Sequence, residues 1–223
     1  MKIDCLVHSK RKTIALIVEG DGSLTVRAPL RFSMKRILEL VEQKAKWIQS
    51  KQALAKSLPP NPGTQTYANG ETFWYLGKTY PLDIVTKAPA PLRLEGKFIL
   101  MQSALPHAAP AFTQWYKAQA RHAIGQRVQQ LAAKHGFQYK QIKITSAQGR
   151  WGSCSSQGTL CFTWRLIMTP PDEIDYVIVH ELAHLVEKNH SKAFWEKVAA
   201  ILPDYKIRRR WLKDHGHLLR LEL

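Results

Sequence analysis

The chain has 223 residues, of which 45% are hydrophobic and 22% are charged. That balance allows a buried core and excludes a disordered tail or a disulfide-stapled miniprotein. Lysine and arginine number 33 against 17 acidic residues, a formal net charge of +16. The excess favours acidic or phosphate-bearing partners, but it also fits an ordinary basic protein, because the basic residues are spread along the chain.

The three cysteines, Cys5, Cys154 and Cys161, form no CxxC pair. We therefore expect reduced thiols and a cytoplasmic location. No stretch approaches the roughly twenty apolar residues of a membrane span, and Met1 to Lys12 has no apolar run of signal-peptide length. We expect a soluble chain that makes no membrane contact, and its oligomeric state stays open.

The first half of the chain predicts a β-rich region with one long helix. Thr13–Val18 and Leu24–Ala28 flank a Gly/Asp turn and predict a hairpin. Apolar residues at three- and four-residue spacing predict a helix from its N-cap at Ser33 to about Lys56, ended by the proline-rich segment 58–63. Alternating runs between Glu71 and Met101 predict two more hairpins.

A second long helix is predicted from about Pro110 to Lys134, with Gly136 as its stop. Its aromatic residues recur on one stripe and predict core packing. Ile142–Thr145 and Thr159–Trp164 then predict strands on either side of a Gly/Ser-rich loop, Gly149–Gly158.

The next helix is predicted to begin at Thr169, its N-cap, followed by two prolines, and to run to about Lys188. Its apolar residues fall within an arc of about 120°. They are Ile174, Ile178, Leu182, Leu185 and Val186. His180 and His184 lie roughly opposite this arc, four residues apart on one stripe, so both can reach one ion.

The segment His180-Glu181-Leu182-Ala183-His184 is an HExxH motif. In this motif two imidazoles bind zinc, and the glutamate acts as general base on a water. A catalytic zinc needs a third protein ligand, for which His190 is the nearest candidate. An unbroken helix would carry His190 about 15 Å along its axis, so the helix must break first. We place the break at Lys188-Asn189, with Ser191 as N-cap of a new helix through Phe194 and Trp195.

Several segments in this order resemble the YgjP-like and SprT-like zinc metallopeptidases. They are the HExxH segment, Asn189-His190-Ser191, Phe194-Trp195, Arg150-Trp151-Gly152-Ser153-Cys154, Trp164-Arg165-Leu166-Ile167, Pro170-Pro171 and, near the N-terminus, Arg11-Lys12-Thr13-Ile14 with the Asp21-Gly22 turn. The resemblance covers nearly the whole chain. It implies that His180, His184 and His190 are metal ligands and that Glu181 is the catalytic acid/base.

Two positions depart from related patterns. The ligand spacing equals that of metzincins, but Glu187 replaces their glycine and no methionine follows Met168 to form a Met-turn, which argues against that class. Thr163 stands where the YgjP-like strand motif is expected to have asparagine.

Other candidate site residues follow from chemistry alone. Arg150 and Arg165 are candidates to face an acidic group near the metal, and Arg165 and Tyr205 are candidate oxyanion donors. A structural or reduced-thiol role is expected for Cys154 and Cys161. The basic residues near the C-terminus predict a solvated helix, with a phosphate-binding patch as the alternative. They are Lys206, Arg208, Arg209, Arg210 and Lys213, with His215 and His217 close by.

Together these features predict an α+β protein with two parts. Residues 1–104 form a β-rich region with a long helix, and residues 105–223 form a zincin-like catalytic domain with the HExxH helix and a small sheet. The expected function is a zinc metallohydrolase, foremost a metallopeptidase that cleaves peptide bonds with a Glu181-activated water and acts on a peptide or protein, including nucleic-acid-associated proteins. The alternatives are a zinc-dependent phosphoanhydride (nucleotide) hydrolase and a non-enzymatic nucleic-acid-binding module with structural zinc.

Overall fold

A computed structural model describes residues 2–19, 22–57, 65–216 and 218. Backbone contacts divide the chain into two compact units, Met1–Gly63 and Thr64–Leu223. This division falls earlier than the predicted domain boundary at 104/105, because the strands before that boundary share a core with the helix that follows it.

The first unit combines a three-stranded sheet with two helices. Its strands are β1 (Cys5–Ser9), β2 (Ala15–Val18) and β3 (Leu24–Pro29), in the order β1-β3-β2. The antiparallel β2/β3 pairing confirms the predicted hairpin, although Gly20 and Asp21 of its turn lie outside the described residues. β1 pairs in parallel with β3 and was not predicted.

The single helix predicted after this hairpin is wrong, because the structure has two. Lys44 separates α1 (Met34–Gln43) from α2 (Ala45–Ser57), because its φ/ψ of −100°/9° lies outside the helical region. The capping role of Ser33 is confirmed, since its hydroxyl oxygen accepts from the backbone N–H of Arg36 at 3.4 Å. The proline-rich segment 58–63 predicted to end the helix lies outside the described residues.

The second unit begins with the two further predicted hairpins, which are confirmed. β4 (Thr72–Tyr75) pairs with β5 (Lys78–Val85), and β6 (Leu92–Leu94) pairs with β7 (Phe98–Met101). The parallel pairing of β5 with β7 joins them into one sheet, β4-β5-β7-β6.

The long helix α3 (Ala108–His135) packs its aromatic stripe against this sheet. Phe112 is fully buried and its ring lies 4.1 Å from that of Phe73 in β4. Gly136 ends the helix in the left-handed conformation at φ 70°, which confirms the predicted stop.

A small sheet and three helices complete the second unit. β8 (Gln141–Thr145), β9 (Gly152–Cys154) and β10 (Thr159–Thr163) are arranged in the order β8-β10-β9. β9 lies within the predicted loop Gly149–Gly158, and Trp164, predicted as strand, begins a 3-10 turn at Trp164–Met168. The helices are α4 (Pro171–Ala183), α5 (Lys192–Ile201) and α6 (Tyr205–Asp214).

The described residues thus form three small sheets and six helices, which confirms the predicted α+β class. None of those helices is both long and apolar enough to cross a bilayer. Cys5, Cys154 and Cys161 are free thiols, as expected.

Candidate metal centre and active site

Helix α4 carries the HExxH motif through the core of the second unit. It begins at Pro171 with Pro170 as its N-cap, so the predicted N-cap at Thr169 is wrong. The Thr169 hydroxyl is buried and donates instead to the Leu166 carbonyl at 2.8 Å. The predicted single apolar face is also too narrow, because Val177 and Val179 are buried as well.

The chain leaves α4 earlier than predicted. The helix ends at Ala183, five residues before the expected end at Lys188, and His184 is its C-cap. The turn that follows aims the Glu187 carbonyl at the side chain of His184, whose Nδ1 donates to it at 2.9 Å. The predicted new helix is confirmed: Ser191 caps α5 by accepting from the Phe194 N–H at 3.3 Å.

This break brings three imidazoles together. His190 Nε2 lies 3.0 Å from His180 Nε2 and 3.2 Å from His184 Nε2. The ligating atoms of the three residues all lie within 4.8 Å of one another. Three nitrogens around one tetrahedral zinc at 2.0–2.1 Å would be roughly 3.3 Å apart.

The donor set therefore fits a metal ion. Because His184 donates its Nδ1 proton to Glu187, its Nε2 keeps a free lone pair, which is the arrangement that metal-binding histidines adopt. Burial lowers the pKa of His180 to about 3, with additional repulsion from His184, His190 and Arg209. The imidazole of His180 is consequently neutral and able to coordinate at pH 7.

Two aromatic side chains of α5, Phe194 and Trp195, pack against these rings. Phe194 is fully buried, and its ring centroid lies 4.9 Å from that of His180, 4.5 Å from that of His184 and 4.8 Å from that of His190. Trp195 stacks on His190 at 5.5 Å. Helix α5 therefore supplies both the cap next to the third imidazole and the surface against which all three rings pack.

Glu181 lies beside the histidines with its carboxyl group almost completely buried. Burial raises its pKa to about 8, and the positive charge of Arg150 opposes this effect. Its Oε2 has no hydrogen-bond partner within the described parts of the chain. An unsatisfied buried carboxylate oxygen next to three imidazoles is able to exchange a proton with a bound water.

His180 and Glu181 line a cleft of about 340 Å³. Its walls come from the segment around β9 and from α4 and α6. The lining residues are Arg150, Trp151, Gly152, Tyr176, Val177, His180, Glu181, Arg209, Leu212 and Lys213.

Comparison with known proteins identifies the family of the chain. Residues 12–215 match the YgjP-like metallopeptidase domain. The chain belongs to the YgjP-like metallopeptidase family. The chain also matches the crystal structure of the metallopeptidase zymogen abylysin of Pyrococcus abyssi, with 23% sequence identity and a TM-score of 0.37. The match covers 40% of this chain and 92% of that one. The comparison with curated proteins gives no match.

The other predicted site residues of this YgjP-like domain occupy different places. Arg150 lines the cleft, as expected for a residue that faces an anionic group there. Arg165 is buried, donates to the Ser146 carbonyl at 3.3 Å, lies over the Trp164 ring and is not among the lining residues. Tyr205 stacks on Trp195 at 5.3 Å and is not among the lining residues of the cleft.

Several residues of the YgjP-like cleft were not predicted from the sequence, among them Tyr176, Gly152 and Arg209. Tyr176 lies one turn before His180 on the same stripe of α4, so its spacing could have indicated it. Gly152 was placed in a loop, and no local pattern indicates that its backbone meets Glu181. Arg209 was grouped with a solvated helix, because a run of three arginines does not show which one faces the cleft.

Proposed function

We propose that this protein is a zinc-dependent peptidase whose catalytic half is zincin-like. The observation that supports this most strongly is the convergence of three Nε2 atoms, from His180, His184 and His190, beside the buried carboxyl group of Glu181. Three imidazoles on a short helix–turn–helix segment suit zinc, which favours nitrogen donors in tetrahedral sites and leaves the fourth position open in enzymes.

In this proposal the metal supplies a Lewis acid that polarises the scissile carbonyl and makes a water more acidic. Glu181 takes the proton of the attacking water on its carboxylate and returns it to the departing amine. Arg150 lines the same cleft and lowers the pKa of Glu181, which favours the ionised base. Phe194 and Trp195 hold the imidazoles in place through ring contacts.

The metal is tested by elemental analysis of purified protein. We expect one zinc per chain and a large loss of affinity in His190→Ala and in His184→Ala, because either change removes one of three proposed ligands. Full zinc occupancy in His190→Ala, with loss in His184→Ala, would remove His190 from the ligand set.

The reaction is tested with Glu181→Gln. Glutamine keeps the size of the side chain but accepts no proton, so we expect the zinc content to stay near wild type. Hydrolysis should fall by about 10²-fold or more. Glu196→Gln, on the exposed face of α5, removes an equivalent charge away from the cleft and should change neither the zinc content nor the rate of hydrolysis. A Glu181→Gln protein that hydrolyses the same substrate at the wild-type rate would contradict the role of base.

The substrate is tested with a panel of an unfolded protein, with and without single-stranded DNA, and nucleoside triphosphates. The net charge of +16 supports action on nucleic-acid-associated proteins. We expect cleavage of the protein, and faster cleavage in the presence of DNA if the DNA brings enzyme and substrate together. Any binding of DNA should weaken steeply with salt, since phosphate contacts would dominate it.

A second candidate is hydrolysis of a phosphoanhydride at the same centre. It is favoured by the cations that line the cleft, Arg150, Arg209 and Lys213. Phosphate release from nucleotides by the wild type and its loss in Glu181→Gln, without cleavage of any protein, would establish this alternative. A structural zinc would need a fourth protein ligand, and within the described residues no other His, Cys, Asp or Glu joins the three histidines.

A further inference from the structure

Three cationic side chains share the cleft with His180, one of the proposed metal ligands. Arg150 comes from the segment just before β9, whereas Arg209 and Lys213 lie four residues apart on α6 and therefore on one face of that helix. His180 and Glu181 line the same cleft. A substrate that reaches the reacting groups would therefore also meet these positive charges.

Among the described residues, no salt bridge neutralises these three cations. On α6, Arg208 donates to the Asp204 carboxylate at 3.0 Å and Arg210 lies 4.0 Å from the Asp214 carboxylate. By contrast, within the described ranges no carboxylate lies within salt-bridge distance of Arg150, Arg209 or Lys213. Glu181 is the one acidic residue among those that line the cleft.

Arg209 is also held in place relative to the metal ligands. Its guanidinium carbon lies 4.8 Å from the centroid of the Trp195 ring, and that ring stacks on His190. A guanidinium over an indole face is attracted by the ring electrons and loses little of its hydrogen-bonding capacity, since its N–H groups lie in the plane. The donors of Arg209 therefore remain available to a ligand in the cleft.

We infer that Arg150, Arg209 and Lys213 form a subsite for a carboxylate of the substrate. The inference rests on the proposed peptidase function and specifies its substrate as a peptide with an acidic group close to the scissile bond. Guanidinium forks match the planar geometry of a carboxylate, and bonds between two charged groups are about twice as strong as neutral ones. An Asp or Glu side chain and a free C-terminus offer the same chemistry to this subsite.

The test compares peptides that differ only by Glu or Gln next to the cleaved bond, each with a free or an amidated C-terminus. With the zinc-loaded wild type we expect kcat/KM to be about tenfold higher for peptides that carry a carboxylate in reach of the subsite. If the preference follows the C-terminus rather than the side chain, the subsite binds the terminal carboxylate. Equal kcat/KM for all four peptides would overturn the inference.

Substitution of the cleft arginines tests whether the preference for acidic peptides arises in the cleft. Arg209→Gln and Arg150→Gln should reduce the ratio of acidic to neutral peptide to about threefold or less, and Arg209→Lys, which keeps the charge but not the fork, should give an intermediate ratio. Arg210→Gln removes the same charge from the next position of α6 outside the cleft, and it should leave the ratio at the wild-type value. An unchanged ratio in both Arg150→Gln and Arg209→Gln would overturn the inference.

Binding separates this inference from the proposed function. Calorimetric Kd values for the four peptides are measured with zinc-loaded Glu181→Gln, which leaves the three cations intact. If no peptide is cut by wild type, the peptidase proposal fails, and a lower Kd for the acidic peptides that is lost on adding Arg209→Gln still establishes the subsite. Equal Kd values for acidic and neutral peptides would overturn it.

Discussion

A Cβ atom on Gly152 would lie 2.7 Å from Oε1 and 2.8 Å from Cγ of Glu181. Real Cβ atoms do not approach other atoms this closely, so the backbone of β9 can meet the carboxyl group because position 152 has no side chain. β9 is an edge strand of its sheet, and its contact with Glu181 limits where the carboxyl group can go. Gly152 is therefore a positioning residue for the proposed base.

We expect Gly152→Ala to lower kcat about tenfold or more while zinc content stays at the wild-type level. The added methyl group displaces the Glu181 carboxylate, whereas the three histidines lie on other segments. Gly125→Ala is the matched control, because no atom lies within 4 Å of its added Cβ inside α3. That change should stabilise the protein by about 0.5–1 kcal/mol and leave turnover unchanged. Wild-type turnover in Gly152→Ala would show that the carboxylate is positioned by other contacts.

At the scale of residues, spacing along one helix is what the sequence predicts best. The stripe shared by His180 and His184 follows from their separation of four, and the position of His190 follows from the need for a break before it. The ligand and base roles themselves remain predictions. Arg165 and Tyr205 were placed near the metal because they can donate hydrogen bonds and lie in the same half of the chain. Neither property indicates in which direction a side chain points.

At the scale of elements, the ends of helices were predicted less well than their existence. The apolar pattern of α4 continues through Leu185 and Val186, yet Val186 is 57% exposed and the helix has already ended. The hydrogen bond from His184 Nδ1 to the Glu187 carbonyl requires the chain to turn. The spacing of apolar residues does not indicate such a hydrogen bond. The interruption at Lys44 has no glycine or proline to indicate it.

The turn between β4 and β5 supports the start of α4. The Leu76 N–H donates to the Ile167 carbonyl and the Gly77 N–H to the Met168 carbonyl, both at 2.9 Å. Gly77 has φ 78°, and its added Cβ would lie 2.9 Å from Cα of Pro170, the N-cap of α4. This turn therefore needs glycine both for its conformation and for its close approach to a rigid proline.

We expect Gly77→Ala to lower the melting temperature clearly more than Gly96→Ala. Both glycines have positive φ, so both changes carry a conformational cost of about 1 kcal/mol. Only Gly77 also gains a clash with Pro170, since no atom lies within 4 Å of the added Cβ of Gly96. An additional cost of about 1–2 kcal/mol corresponds to a further ~2–8 °C, measurable by thermal unfolding. Equal melting temperatures of the two variants would mean that Pro170 and the start of α4 accommodate the added methyl group without loss of stability.

At the scale of the whole chain, the predicted boundary at 104/105 separates residues that share a core. Phe73 and Phe98, from β4 and β7, contact the Phe112 ring of α3 at 4.1 and 5.2 Å. Local patterns identify the hairpins and the helix, but they do not show that these aromatic residues meet. The α+β class could be predicted because it depends only on which elements exist.

We expect the stability of the metal-free protein to depend on pH through two opposed groups. The folded pKa of His180, about 3, lies below its ordinary 6.5, so the unfolded chain binds more protons between these values and stability rises with pH there. The folded pKa of Glu181, about 8, lies above its ordinary 4.5, so the folded chain binds more protons between those values and stability falls with pH there.

Glu181→Gln isolates the second effect in chelator-treated protein. Its melting temperature should be close to wild type at pH 5 and increasingly above wild type up to about pH 8, because glutamine has no carboxyl group that titrates in this range. Glu196→Gln, at an exposed carboxylate, should track wild type throughout. A constant difference between Glu181→Gln and wild type from pH 5 to 9 would show that the Glu181 carboxyl group titrates alike in the folded and unfolded chains.

The three proposed ligands lie within residues 180–190, whereas Gly152, Arg150 and Arg209 line the cleft with Glu181 from segments distant in sequence. Contacts that are close along the chain form quickly and with little loss of chain entropy, and distant ones need the assembled unit. If these histidines hold the metal, an incompletely folded preparation can contain its full complement of metal and still be inactive. Specific activities of this enzyme should accordingly be normalised to natively folded molecules, counted by a probe of the α3 core, rather than to metal content.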